Sequence, residues 1–397
     1  MTRPKPVSIH PADCPTILQA MRIAGFILFV AASALAGGQS MGSTPQEAVA
    51  VWQMQDSGTT AGLRGIDSVD GTVAWASGTG GTVLKTVGGG AHWQKCAIPD
   101  GDRDGATLDF RGVQAWDSDT AIVMASGPGE RSRLYKTTDG CKTWKLLFKN
   151  PDSPDGFFDS FWINPFFKTG ILLGDPVKNR FRVFDTSDAG AEWQRDNRKG
   201  LDTGPKFLAG FAASNSLLAR FEAGYAQGFV TGGEGGAFLL HRWGKESWSR
   251  SPIPLAAGTD TSGAFSLGYR VTPPPCTDCA GPFYQFTVAV GGDYTKPSAP
   301  TGTAAWSSDG GQHWTASTIP PHGYRSAVQW GGSIKQLADS INAWITAGTN
   351  GSDISRDDGR TWQPLDSGNW NALSLPFVVG PNGRIAQLNP AALPPMK

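Results

Sequence analysis

Two kinds of side chain in this sequence could carry chemistry, and their positions decide which. Arg64, Arg111 and Arg325 recur at comparable places in a repeat described below. Guanidinium forks gathered at one spot would hold a carboxylate or phosphate bidentately. Asp159, Asp175, Glu234 and Asp293 supply carboxylates, and Tyr294 follows the last of them. Two carboxylates at a set separation across a cleft would make a glycosidase. Otherwise each carboxylate neutralises an arginine and ties neighbouring segments together.

Other chemistries find little to work with. His92 and His313 fall in turn motifs, His241 in a decayed one, His322 in a Pro-rich connection and His10 near the N-terminus. No pair of them has metal-ligand spacing, so no metal is expected. Gly78-Thr79-Gly80-Gly81 and Gly232-Gly233-Glu234-Gly235-Gly236 lie between two strands. They read as hairpin turns, because a nicotinamide or flavin site would place its glycines between a strand and a helix. No G-x-S-x-G elbow is present, and no cofactor is expected.

The composition narrows the fold. Of 397 residues, 52 are Gly and 28 Pro, only 17% are charged, and Trp is abundant at 15. Turn residues and aromatics with little charge favour many short strands. Lys plus Arg equals Asp plus Glu, 34 against 34, so a general nucleic-acid binder or a basic membrane-surface protein is not expected.

The N-terminal segment reads as an export leader. Arg22 precedes an apolar run, Ile23 to Leu35, that ends in Ala34-Leu35-Ala36. That is the pattern of a cleaved signal, and the run is shorter than a spanning helix needs. Met21 sits where such a leader would begin. Residues 1–36 are therefore taken as leader, 37–50 as linker, 51–390 as the folded domain and 391–397 as tail. No stable membrane span is expected after cleavage, and the mature chain is placed in the periplasm or outside the cell. There an oxidising environment favours a local bridge between Cys276 and Cys279. Whether Cys96 and Cys141 meet is left open by the sequence.

A repeat runs through the chain. Thr137 to Trp144 fits the pattern S/T-x-D-x-G-x-T-W, with Cys141 in the glycine slot. The pattern returns at Thr186–Trp193, Ser307–Trp314 and Ser355–Trp362, built on Asp139, Asp188, Asp309 and Asp357. A weaker copy, Thr86–Trp93, has Gly88 in place of Asp, and His241–Trp248 is the most decayed. The terminal tryptophans stand 51, 49, 55, 66 and 48 residues apart, the length of one four-stranded propeller blade. In each octet the Asp carboxylate is expected to accept turn amides, glycine to supply a positive φ, and tryptophan to pack beneath.

Seven small or β-branched runs, beginning at Ala74–Gly78 and ending at Pro376–Gly380, accompany only six octets. The tail Leu373–Leu388 holds three strands, and Val51–Gln55 reads as the missing outer one. The expected fold is therefore all-β: a seven-bladed β-propeller of four-stranded antiparallel blades, closed by the N-terminal strand, with six blades as the alternative.

The octets resemble the Asp-box of the bacterial neuraminidase (BNR) repeat. The segments "LRGIDSVDGTVAWASGTGGTVLKT", "FRGVQAWDSDTA", "GPGERSRLYKTTDG" and "AVGGDY" resemble photosystem II assembly-factor propellers, in their exported bacterial branch. That resemblance covers residues 50–390. It implies a seven-bladed ring that acts in binding or assembly of other proteins, with the octets structural. A broad face made of loops suits recognition of a protein, peptide or glycan, and the chain is expected to be a monomer. Members of this branch sometimes bear oxidoreductase or glycosyl hydrolase labels, which are weak warrant for function.

Aligning the blades puts Arg64, Arg111, Asp159, Gly210, Ser266, Arg325 and Asn371 at the starts of the inner strands. The loops between second and third strands add Glu130, Arg131, Asp175, Glu234, Asp293 and Tyr294. Arg64, Arg111, Asp159, Asp175, Glu234, Tyr294 and Arg325 are the expected ligand contacts. The Phe157–Trp162 cluster is expected mainly in the core. The alternative is a sialidase-like hydrolase: sialidases of this repeat class use three arginines and a Tyr activated by a Glu. Arg64, Arg111, Arg325, Tyr294 and Glu234 could imitate that set, with Asp293 and Asp175 as further catalytic candidates. The Arg-Ile-Pro segment of sialidases is missing, and they have six blades.

Overall fold

The computed structural model describes residues 50–395 other than 165, 221–225, 273–283 and 334–340. The leader and the Cys276/Cys279 pair lie outside the described residues. Among those that are described, no helix is long and apolar enough to cross a membrane.

Seven four-stranded sheets form seven blades. Their inner strands are Leu63–Ser68, Phe110–Ala115, Phe158–Ile163, Leu218–Arg220, Ser262–Thr272, Ala327–Trp330 and Ala372–Ser374. Second strands such as Ala74–Gly78 and Trp344–Gly348 are buried along their whole length. A strand covered on both faces by neighbouring blades reads as a continuous run of small and branched residues. The fourth strands Gln94–Lys95 and Thr315–Ala316 are two residues long and exposed, which leaves little free edge. Blade seven takes its outer strand from Trp52–Gln55, which pairs antiparallel with Ile385–Leu388. The Trp52 indole N–H also donates to Ser352 Oγ at 2.9 Å, fastening the closure to blade six.

The core is a ring of clusters at the blade interfaces. One joins Phe110, Val113 and Tyr135 of blade two to Trp75 and Val83 of blade one. Another joins Trp344 and Val328 of blade six to Val288 and Val290 of blade five.

The octets fold as expected. Asp139 Oδ1 accepts the amides of Lys142 and Thr143 at 3.0 Å each. The Thr143 hydroxyl and amide together bring its carboxyl down to about 2. Ser307 and Asp309, and Ser355 and Asp357, repeat the arrangement, and Asp188 accepts the Glu192 amide. The glycine slot also faces the preceding blade: a Cβ on Gly311 would meet Leu239 at 2.5 Å, and one on Gly359 would meet Val288 at 2.9 Å. Blade two solves the same contact differently. Cys141, at φ 68°, reaches blade one as a disulfide to Cys96. The decayed octet of blade four has no Asp of its own, and its Trp248 indole donates to Asp196 of blade three at 2.8 Å.

Blade four departs from the aligned pattern. Its inner strand starts at Leu218, later than Gly210, and the preceding segment turns into the channel. There the Ser214 hydroxyl donates to Ser326 O of blade six at 2.6 Å. Asn215 Oδ1 accepts the Phe161 amide of blade three at 2.9 Å and lies 3.0 Å from where a Gly112 Cβ of blade two would be. Ser216 donates to Ser266 of blade five. Polar side chains from one blade thus close the middle of the channel.

Candidate functional site

The strand order places two sets of loops at each end of the ring. One end, the inlet face, carries the starts of the inner strands and the loops between second and third strands. The octet turns lie at the other.

A β-bulge shapes the inlet face. In blades one, two and three the pairing with the second strand shifts between Leu63 and Gly65, Phe110 and Gly112, and Phe158 and Ser160. The extra residue at each shift is Arg64, Arg111 and Asp159. A bulge adds twist and re-aims the side chain it carries, so three equivalent positions depart from the strand's regular alternation. Blade five has the same shift between Ala264 and Ser266. Its equivalent residue is therefore Phe265, one before the Ser266 expected from alignment, and the Ser266 hydroxyl instead accepts the Val328 amide inside the ring.

Arg64 and Arg111 converge on one carboxylate. Asp109 Oδ2 lies 2.7 Å from Arg111 Nε and 3.7 Å from Arg64 Nε. The two arginine side chains remain 35% and 28% exposed. Burial lowers the Arg64 pKa, and the neighbouring Arg111 charge lowers it further against the pull of Asp109. The Arg111 guanidinium also sits 5.8 Å from the Phe157 ring centre and donates to Ala212 O. Two positive charges here share one close negative partner.

Asp159 and Asp175 form the second element. Asp159 is 1% exposed. Burial pushes its carboxyl well above the usual range, Asp175 pushes the same way, and Arg111 opposes. Burial raises Asp175 to about 7 against the favourable Gly210 amide, which donates to Asp175 Oδ1 at 3.0 Å. Both carboxyls crowd Gly210, where an added Cβ would lie 2.5 Å from Asp159 Oδ2. The glycine is what lets the blade-four backbone approach.

Beside these charges stands an aromatic group. Phe211 stacks on Phe265 with ring centres 3.9 Å apart. Tyr324 and Tyr294 meet Phe265 edge-on at 4.8 and 6.1 Å. Tyr294 is 47% exposed, so the group presents one polar-tipped ring to solvent.

The remaining expected residues lie apart from this assembly. Arg325 departs from the expected ligand contact. It is fully buried, and its Nε donates to Asp353 Oδ2 at 2.6 Å and Nη1 to the Tyr324 carbonyl. His322 closes that network on Asp353 Oδ1 at 2.7 Å. The reason is local: Arg325 precedes its inner strand and has no bulge beneath it. Asp293 is held by Thr261, Thr295 and Lys296. Burial opposes its charge, but these bonds outweigh burial and lower its pKa. Glu234 is solvent-exposed. Among the described residues no hydrogen bond joins Tyr294 to Glu234, and no group of three His, Cys, Asp or Glu could hold a metal. The Phe157–Trp162 cluster divides: Phe158 and Phe161 are core, Phe157 lies under Arg111, and Trp162 faces the channel. Sequence alignment missed Asp109, Phe211, Phe265 and Tyr324.

Among the buried polar atoms of this charged group, Arg64 Nε, Asp109 Oδ1 and Asp159 Oδ2 make no hydrogen bond, although Arg64 Nε lies 3.7 Å from Asp109 Oδ2. Such atoms are costly where they stay unpaired. A separate cavity of about 480 Å³ lies on the other side of the channel closure, lined by Asp67, Trp162, Tyr269, Gln329 and Trp330 among others.

No protein-family model matches the sequence. A stretch of 153 residues is 25% identical to the photosystem II assembly lipoprotein Ycf48 of Synechococcus sp. (strain CC9902). That match takes in 38% of this chain and 41% of the relative, so the chain spans about two fifths of the length of that protein. Among solved structures, YCF48 bound to a D1 peptide superposes with a TM-score of 0.56 at 18% identity, covering 87% of this chain and 99% of that one. YCF48 from Cyanidioschyzon merolae gives 0.53 at 18% identity, covering 86% and 100%. The WD40 propeller of Doa1 gives 0.50 at 8% identity, covering 85% and 97%. The chain is a seven-bladed β-propeller that shares its fold with these proteins and, over part of its length, sequence similarity with Ycf48.

Proposed function

We propose that this propeller is an exported binding module that seats an extended peptide segment of a partner protein on its inlet face. The observation that carries this is the sharing of Asp109 by Arg64 and Arg111, with buried Asp109 Oδ1 left without a hydrogen-bond partner, beside the Phe211–Phe265 stack. A peptide main chain offers donors and acceptors together, and an acidic side chain on it would meet Arg64 and Arg111 as a charge-assisted pair. Exposed Tyr294 and half-buried Phe211 suit a neighbouring apolar side chain. Similarity to an assembly lipoprotein, and to a propeller solved with a peptide, supports the same reading. The partner is defined by its chemistry, an acidic segment with apolar residues.

The test is binding to arrays of synthetic peptides that vary in acidic and aromatic content, with Arg64→Ala and Arg111→Ala beside the wild type. Preference for acidic peptides, lost in both variants, is expected. Wild-type binding unchanged by either substitution, or turnover of a sialoside by the wild type, would overturn the reading.

A further inference from the structure

The Gly210 amide bond to Asp175 Oδ1 ties the Asp159–Asp175 pair to blade four, and it needs no ionisable group. The pair does not bridge blades through an ion pair, and Asp159 Oδ2 is buried without a partner. Replacing such a pair with amides would keep the Gly210 hydrogen bond and remove the burial penalty. Its location is informative: Asp159 is the bulge residue equivalent to Arg64 and Arg111, and the Arg111 charge acts on it directly.

We infer that the Asp159–Asp175 pair makes capture of an acidic peptide proton-linked, keeping its protons while the ligand is bound and expelling the ligand when it ionises. This rests on the reading of the inlet face as a peptide site. With their protons held, the two carboxyls are uncharged and an acidic ligand meets a positive face. Once Asp175 ionises, a negative charge stands next to Asp159 on this face and repels the ligand carboxylate.

The charges around the pair pull both ways: Asp175 opposes ionisation of Asp159 and Arg111 favours it. From blade two, Arg111 faces it, itself tied to Asp109. From blade three, Arg182 stands behind Gly174 and is bound to Asp152 at 3.3 Å. Blade four contributes main chain at Gly210, and its charged residues Lys206 and Glu234 are solvent-exposed. Arg64 lies beyond Arg111. Burial places the titration of Asp175 at about 7, within reach of ordinary environments.

If only the protonated pair binds, the apparent dissociation constant rises as the protonated fraction falls, about tenfold between pH ~6 and pH ~8. The probe is a pair of synthetic peptides chosen from the arrays, identical except for Glu→Gln. Glutamate itself stays ionised across this window, so any change belongs to the protein. Titration calorimetry in two buffers of different ionisation enthalpy reads the protons directly. Wild type is expected to lose the Glu peptide about tenfold over the window and to take up a fraction of a proton near pH ~7. D175N is expected to bind it at all pH values with no proton uptake. Should D175N fail to fold, the wild-type calorimetry still decides. Wild-type binding of the Glu peptide that is flat with pH overturns the proton linkage and leaves the peptide site standing. Binding of neither peptide at any pH overturns both.

Discussion

The same acid pair should leave a mark on folding stability. Asp175 titrates at about 7 in the native protein against 3.8 when unperturbed. Below pH ~4 both states hold the proton and the group contributes nothing. Between the two values the unfolded chain has released its proton while the native protein keeps it, so stability falls as pH rises. Above pH ~7 the full penalty remains. A shift of this size corresponds to roughly 4 kcal/mol at 1.36 kcal/mol per unit. Asp175 is partly open to solvent, which screens the effect to about 2 kcal/mol. D175N keeps an oxygen for the Gly210 amide and removes the ionisable proton. Urea unfolding should therefore find D175N more stable than wild type by about 2 kcal/mol at pH ~8 and by less than half of that at pH ~5. An equal difference at both pH values, or a destabilised variant at pH ~8, would refute the reasoning.

Other consequences follow from the same contacts. Breaking the Cys96–Cys141 bridge as C96S/C141S frees a loop of sequence separation 45 and should cost about 2–4 kcal/mol, read by urea unfolding with a reduced wild-type control. W52A removes a buried indole that bonds Ser352 and anchors the closing strand; a loss of about 3–5 kcal/mol is expected, with hydrogen exchange rising first in blade seven. N215A leaves the Phe161 amide without its side-chain acceptor and puts alanine at φ 58°, for a loss of about 2 kcal/mol in the same unfolding assay. R111A should weaken acidic-peptide binding more at low than at high ionic strength, since the lost attraction is screened by salt.

The fold was largely legible because it repeats. Tryptophans at blade spacing, an Asp-centred turn before four of them, and buried second strands state the same unit several times over. The odd count of seven runs to six octets pointed to closure by Val51–Gln55, which pairs as expected. The inlet face was legible only in part. Alignment put Arg64, Arg111 and Asp159 at equivalent inner-strand starts, where the bulges hold them, and Asp175 in a loop between second and third strands. It also promoted Arg325, which has the right spacing but lacks the bulge, and so turns to the buried Asp353 carboxylate. Bulges change register by one residue, and no residue type marks them, so Phe265 was passed over for its neighbour. Blade four carries a degenerate repeat, and nothing local in Ser214-Asn215-Ser216 announces a turn into the channel. The Cys96–Cys141 bridge became visible only through three dimensions, since it depends on Cys141 occupying a slot that faces the preceding blade.

Amide hydrogen exchange, with and without a bound acidic peptide, tests the assignment of recognition to the inlet face most directly. Protection is expected at residues 109–112, 157–160, 209–212 and 293–296, with the octet turns around Asp139, Asp309 and Asp357 unchanged. Protection confined to the octet turns or to the cavity beyond the channel closure would contradict it.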